Sequence, residues 1–128
     1  MTHHFPVRVY YEDTDLAGIV YYANYLKFIE RARSEWLRDI GVDQVAMKAQ
    51  GVVFAVRRIE ADYLSPARFD DALVVASSLH SATPARVVMD QAVLRDGQAL
   101  FTCRVTLVCI GANGRAARLP AGLAERLG

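Results

Sequence analysis

Between residues 22 and 40 the apolar residues recur at spacings of three and four, whereas beyond residue 51 they run through long segments bounded by turn formers. Tyr25, Phe28, Ile29, Ala32, Trp36 and Ile40 make one broad apolar stripe; Lys27, Glu30, Arg31, Ser34, Glu35 and Arg38 take the other faces. The spacing predicts a helix that starts at Tyr22 or Ala23, ends at Ile40 and is closed by Gly41. Arg31 and Glu35 are placed to pair on its surface. A stripe this aromatic more often packs on a sheet than binds a cofactor.

Upstream, β-branched and aromatic residues predict a first strand over 5–11. Glu12-Asp13-Thr14-Asp15-Leu16-Ala17-Gly18 then breaks it, because small and acidic residues favour turns. Downstream, a short helix is expected over 43–50 before Gly51, then strands over 52–63, 72–81, 85–94 and 99–110, with a last helical turn over 120–127. Asp96-Gly97 marks a tight hairpin between the last two strands. Pro66 and Pro84 fall in connections, where a missing amide proton costs least. The order is strand, long helix, then four strands in a meander. That implies an α+β fold, one curved antiparallel sheet covering one helix, with residues 1–128 as a single domain. Such a layer leaves sheet edges and an outer face open. Because alternate strand positions point to opposite sides, Val87, Val93, Val105 and Leu107 are expected not all to face the helix, so some would meet another copy.

Composition narrows the partners. Fifteen Lys and Arg against fourteen Asp and Glu leave a formal charge of +1, which gives no electrostatic case for nucleic acid. No apolar run approaches the roughly 20 residues of a membrane-spanning helix. The N-terminus lacks the basic start and apolar run of a secretory signal, so a cytoplasmic location is expected. Cys103 and Cys109 share one face of a strand about 20 Å apart, too far for a disulfide, and read as reduced core residues.

The chemistry is narrowed by what the sequence lacks. It has no G-x-S-x-G elbow, no phosphate-binding glycine loop and no H-E-x-x-H. His3, His4 and His80 are its only histidines, and the first two fall in a terminus expected to be loose, so no metal site is expected. What remains is Glu12, Asp13 and Asp15 directly before the long helix. Capping a turn or helix is the common use of such residues, and Glu12 fits it as a solvent-facing strand end. Asp15, followed by the apolar tract Ile19-Val20-Tyr21-Tyr22, would instead sit in a partly dry pocket beside unpaired helix amides. A carboxylate next to amide donors suits attack on a carbonyl that gains negative charge.

The run Tyr10-Tyr11-Glu12-Asp13-Thr14-Asp15-Leu16-Ala17-Gly18-Ile19-Val20-Tyr21-Tyr22-Ala23-Asn24-Tyr25 resembles the signature of the 4-hydroxybenzoyl-CoA thioesterase family. Within it, the chain is most similar to the Tol-Pal-associated acyl-CoA thioesterases found beside cell-envelope genes of Gram-negative bacteria. Phe28-Ile29-Glu30-Arg31, Val56-Arg57-Arg58 and Tyr63-Leu64-Ser65-Pro66 extend the likeness, which spans about residues 6 to 110.

The resemblance implies a hotdog fold, a five-stranded antiparallel sheet wrapped around one long central helix, in homodimers or homotetramers with the pocket between protomers. It implies hydrolysis of acyl-CoA to free acid and CoA. Asp15 would be the catalytic carboxylate, as general base or as nucleophile, and the Tyr22 amide would polarise the carbonyl. Many Tol-Pal-type members carry histidine where this chain has Tyr22; a backbone amide survives that exchange. Arg57 and Arg86 are candidates for the CoA phosphates, against their plainer use as solvated surface charges. No metal or redox cofactor is implied. The alternatives are a thioesterase for aromatic acyl-CoAs and a non-catalytic module binding acyl-CoA or acyl carrier protein. A hotdog dehydratase would want a histidine that this chain lacks.

Overall fold

The apolar stripe folds as α1 (Asn24–Asp39) and buries Tyr25, Phe28, Ile29, Ala32, Trp36 and Leu37 in the computed structural model, which describes residues 1–128. Gly41 closes it at φ +87°: its N–H donates to the Arg38 carbonyl, and the Val42 N–H donates to the Leu37 carbonyl. Side chains resist that left-handed conformation, which is why glycine stands there. Glu35 pairs with Arg38, not with Arg31.

The remaining elements are β1 (Thr2–Arg8), α2 (Gln44–Ala49), β2 (Val52–Tyr63), β3 (Ala72–Ala82), β4 (Val87–Arg95), β5 (Gln98–Gly111), β6 (Ala116–Ala117) and α3 (Leu123–Leu127). The sheet runs β1-β3-β4-β5-β2, antiparallel at every pairing, and the two-residue β6 adds to β5. This is the hotdog arrangement, five long strands wrapped round a central helix. Asp96 and Gly97 turn the β4–β5 hairpin with φ of +51° and +79°, the positive pair that matches strand twist. No helix is long and apolar enough to cross a membrane.

Two expectations need correction. The first strand occupies Thr2–Arg8, not 5–11, and the terminus is tied down: His3 stacks on Trp36 with ring centroids 6.0 Å apart, and its Nε2 lies 2.8 Å from Asp39 Oδ2. Val87, Val93, Val105 and Leu107 all face inward. The register pairs Val87 with Leu107, Met89 with Val105 and Val93 with Phe101, and every one of these is buried. Even spacing within each strand keeps its residues on one face, and the hairpin brings both sets to the same side. The outer face carries Asp90, Thr102, Arg104 and Thr106 instead. The exposed apolar side chains of the sheet lie along its edge strand β2, at Val53, Val56, Ile59 and Tyr63.

Inside, Cys103 and Cys109 are free thiols on that inner face, and burial pushes Cys103 up to about 12. One polar network crosses the core. Arg33 Nη1 donates to Gln91 Oε1 at 3.0 Å, and Gln91 Nε2 donates to the Ile29 carbonyl at 3.0 Å and to Ser77 Oγ at 2.9 Å. Gln91 thus locks α1 to β3 and β4. Gln91→Leu would bury more apolar surface yet leave these groups unpaired, at about 1–3 kcal/mol for each one orphaned. Chemical denaturation should show a stability loss of at least about 2 kcal/mol; an unchanged midpoint would contradict the network's role.

Candidate active site

After β1 the Val9 N–H still donates to the Asp71 carbonyl, but a carboxylate takes the Tyr10 amide and the chain leaves the sheet. The predicted strand does not continue to Tyr11; Tyr11–Asp13 make a single 3-10 turn. Asp13 is buried, and its Oδ2 accepts the Tyr10 N–H at 2.8 Å. Its carbonyl accepts the Tyr21 N–H and Asn24 Nδ2, each at 2.9 Å. Asp13 is therefore spent on structure, while Glu12 points to solvent from the turn and not from a strand end.

Asp15 is differently placed. Its N–H donates to the Ile19 carbonyl and the Gly18 N–H donates back to the Asp15 carbonyl, both at 2.9 Å, so residues 15–18 form a closed turn. Gly18 sits there at φ +80°. The half-buried Asp15 side chain accepts the Ala17 N–H through Oδ1 at 2.9 Å, and no group of the chain occupies Oδ2. That leaves a carboxylate held in place with one oxygen free.

Across from it lies the start of α1, which begins at Asn24, two residues beyond Tyr22. Ala23 is the N-cap and brings no side-chain acceptor, while the Asn24 amide is engaged on the Asp13 carbonyl. The Tyr21 carbonyl accepts the Asn24 N–H at 2.8 Å, but the N–H groups of Tyr22 and Ala23 donate to nothing within the chain. Unpaired amides at the positive end of a 16-residue helix attract developing negative charge.

Asp15 and Tyr22 line one cleft of about 390 Å³, walled by Ile19, Val20, Tyr21, Tyr25, Tyr63, Leu64, Ser65 and Pro66. The Tyr25 phenol oxygen accepts the Ala67 N–H at 3.0 Å, and the Ala67 carbonyl accepts the Val20 N–H at 2.8 Å, which joins helix, turn and wall. Burial pushes the Tyr25 and Tyr63 phenols above their usual range, so neither is a base near neutral pH. Asp71 braces the wall by accepting the Arg68 N–H and Arg95 Nη1, each at 2.8 Å. Burial alone would raise the Asp71 carboxyl, but these two donors hold it below the usual range. A hollow of about 460 Å³ on the outer sheet face is larger, yet its Asp90 is already bound to Arg104 at 2.8 and 3.2 Å.

The structure brings Asp15 and Tyr22 together and leaves Arg57 and Arg86 outside. Arg57 is the exposed residue where the β2 register slips between Val56 and Arg58; Arg86 is exposed in the turn before β4. Tyr63 at the cleft is aligned with Phe101 and Val93, whereas Val56 is aligned with Leu107 and Val87. That is six residues further along, or about 20 Å. Neither arginine reaches the cleft of its own chain. Two cations lie nearer: Arg95, whose Nη1 donates to the Pro66 carbonyl at 3.3 Å but is paired with Asp71, and Arg68, which bridges to Ile19 and makes no side-chain ion pair. Sequence reasoning also missed Tyr63, whose only signal was its place in the Tyr63-Leu64-Ser65-Pro66 run.

Comparison with known proteins places this site among relatives. A family model described as the thioesterase-like superfamily matches residues 9–127. The chain is 42% identical over 106 residues to the acyl-CoA thioester hydrolase YbgC of Escherichia coli O6:H1, covering 82% of this chain and 79% of that protein. It is 39% identical over 107 residues to the acyl-CoA thioesterase YbgC of Haemophilus influenzae, covering 83% and 79%. Among solved structures, a probable thioesterase from Bartonella henselae superposes with a TM-score of 0.89 at 38% identity, over 94% of this chain and all of that one.

Proposed function

This chain belongs to the thioesterase-like superfamily, and from that premise we propose that it is an acyl-CoA thioesterase whose catalytic carboxylate is Asp15. The observation that carries the residue assignment is the Asp15 carboxylate, one oxygen free, lining the same cleft as the unpaired Tyr22 amide. The thioester carbonyl oxygen accepts from that amide, which stabilises the oxyanion of the tetrahedral intermediate. Acting as base, Asp15 takes a proton from water as the water oxygen bonds to the carbonyl carbon. The carbon–sulfur bond then breaks, and the proton passes to the CoA sulfur. Acting as nucleophile, Asp15 bonds to that carbon itself, expels the CoA thiolate and leaves a mixed anhydride that water cleaves. Either way the products are a free acid and CoA, and only water and the thioester are consumed. The tyrosines that line the cleft favour aromatic acyl groups as a second reading, which a panel of aliphatic and aromatic acyl-CoAs separates by kcat/KM.

Asp15→Asn keeps the side-chain shape and removes the charge. Turnover should fall by at least roughly 100-fold, with the melting temperature close to wild type. Asp13→Asn should lower the melting temperature and cost much less turnover, because the Asp13 carboxylate holds the Tyr10 amide and a neutral amide oxygen accepts it less strongly. The reverse pattern would move the catalytic role to Asp13.

The working unit we propose is a homodimer or homotetramer, supported by the long edge strand β2 with Val53, Val56, Ile59 and Tyr63 open to solvent. An edge strand of this length offers the amides and carbonyls of its open side to a second copy. The pocket then lies between protomers, and Arg57 or Arg86 of the second copy can serve a site their own chain does not. Sedimentation should give a dimer or larger at micromolar concentration, with specific activity falling on dilution; a fully active monomer would defeat the shared site.

A further inference from the structure

Tyr22 lines the cleft, and a remote side chain covers its carbonyl. Tyr63, at the last position of β2, donates its phenol proton to that carbonyl at 2.8 Å. The Tyr63 ring is held edge-on by Tyr22, Tyr25 and Phe101, with centroids 6.2, 5.5 and 5.0 Å away. Three rings from the helix start and β5 therefore fix where the hydroxyl goes.

Two consequences follow for a thioester bound there. The hydrogen bond stops rotation of the peptide that joins Tyr22 to Ala23, which sets the direction of the Ala23 N–H. Finally, a carbonyl that accepts a hydrogen bond polarises its own peptide, so the unpaired Ala23 N–H becomes a stronger donor. A tyrosine kept only to fill the wall needs no such bond, since its exposed hydroxyl could be left to water.

We propose that Tyr63 is a positioning residue for the reaction: its hydroxyl orients and polarises the Tyr22–Ala23 peptide so that the helix-start amides receive the thioester carbonyl. This rests on the thioesterase reading above.

Tyr63→Phe keeps the ring and deletes only the hydrogen bond. In the full chain, kcat should fall by roughly 10-fold with KM within about 2-fold, a smaller loss than the 10²–10³ for removing an oxyanion donor outright. Binding of two inert acyl-CoA analogues separates positioning from packing. One is a ketone with CH2 in place of sulfur, which keeps the carbonyl; the other is a thioether, which lacks it. The variant should bind the ketone several-fold more weakly and the thioether unchanged. Wild-type kcat with an unchanged ketone-to-thioether ratio would overturn the proposal. So would an equal loss for both analogues accompanied by a lower melting temperature, since that is a packing defect. Wild type and Asp15→Asn run alongside keep the two readings apart. An active wild type, a dead Asp15→Asn and an unaffected Tyr63→Phe would sink the positioning role alone. A wild type inactive on every acyl-CoA would sink both.

Discussion

Asp13 holds both ends of the segment that builds the cleft. Its carboxylate takes the Tyr10 amide where the chain leaves β1, and its carbonyl takes the Tyr21 amide and the Asn24 side chain where α1 begins. The residues between are thereby drawn into a closed loop with the Asp15–Gly18 turn at its tip. Two aspartates two positions apart are thus given different work: Asp13 is buried, with its carboxylate on the Tyr10 amide and its carbonyl on two more donors, whereas Asp15 is half-exposed and lines the cleft. A buried carboxylate that lost its one amide partner would be costly, so the loop and the burial of Asp13 depend on each other.

The same engagement leaves α1 without a cap. Asn24 could in principle serve the helix start, but its side chain is turned to the Asp13 carbonyl, and Ala23 offers nothing. The amides just ahead of the helix, at Tyr22 and Ala23, pair with nothing in the chain and are open to an acceptor. The helix tolerates this because its stability comes from packing. Phe28, Ile29, Ala32, Trp36 and Leu37 are buried beneath the sheet, and the Arg33–Gln91–Ser77 network fixes its rotation. Cleft and core therefore divide the segment between them, the amides before the first turn left open and the helix itself anchored.

Much of this was legible in the residues because it depends on local pattern. The stripe from Tyr25 to Trp36, Gly41 as helix stop and Asp96-Gly97 as hairpin are all read at short range. The proposal of Asp15 starts from the same short range, from its apolar tract and the family likeness of residues 10–25, and the cleft adds the Tyr22 amide beside it. What the sequence hid depends on which partner each group takes, near or far along the chain. Tyr10 and Tyr11 have strong strand propensity, yet the Asp13 carboxylate captures the Tyr10 amide and ends the strand. The shared inward face of Val87, Val93, Val105 and Leu107 follows from hairpin register, which parity within one strand does not reveal. Arg57 was unplaceable because a bulge falls at that position of β2, and Tyr63 because its acceptor lies across the fold at Tyr22.

The central claim is that the thioester carbonyl lodges between Asp15 and the start of α1. A crystal structure with an inert acyl-CoA ketone analogue addresses it directly. The carbonyl oxygen should lie about 2.7–3.1 Å from the Tyr22 nitrogen, with the carbonyl carbon facing the free oxygen of Asp15. A carbonyl turned away from that amide, or an acyl group seated in the outer-face hollow beside Asp90 and Arg104, would contradict the account.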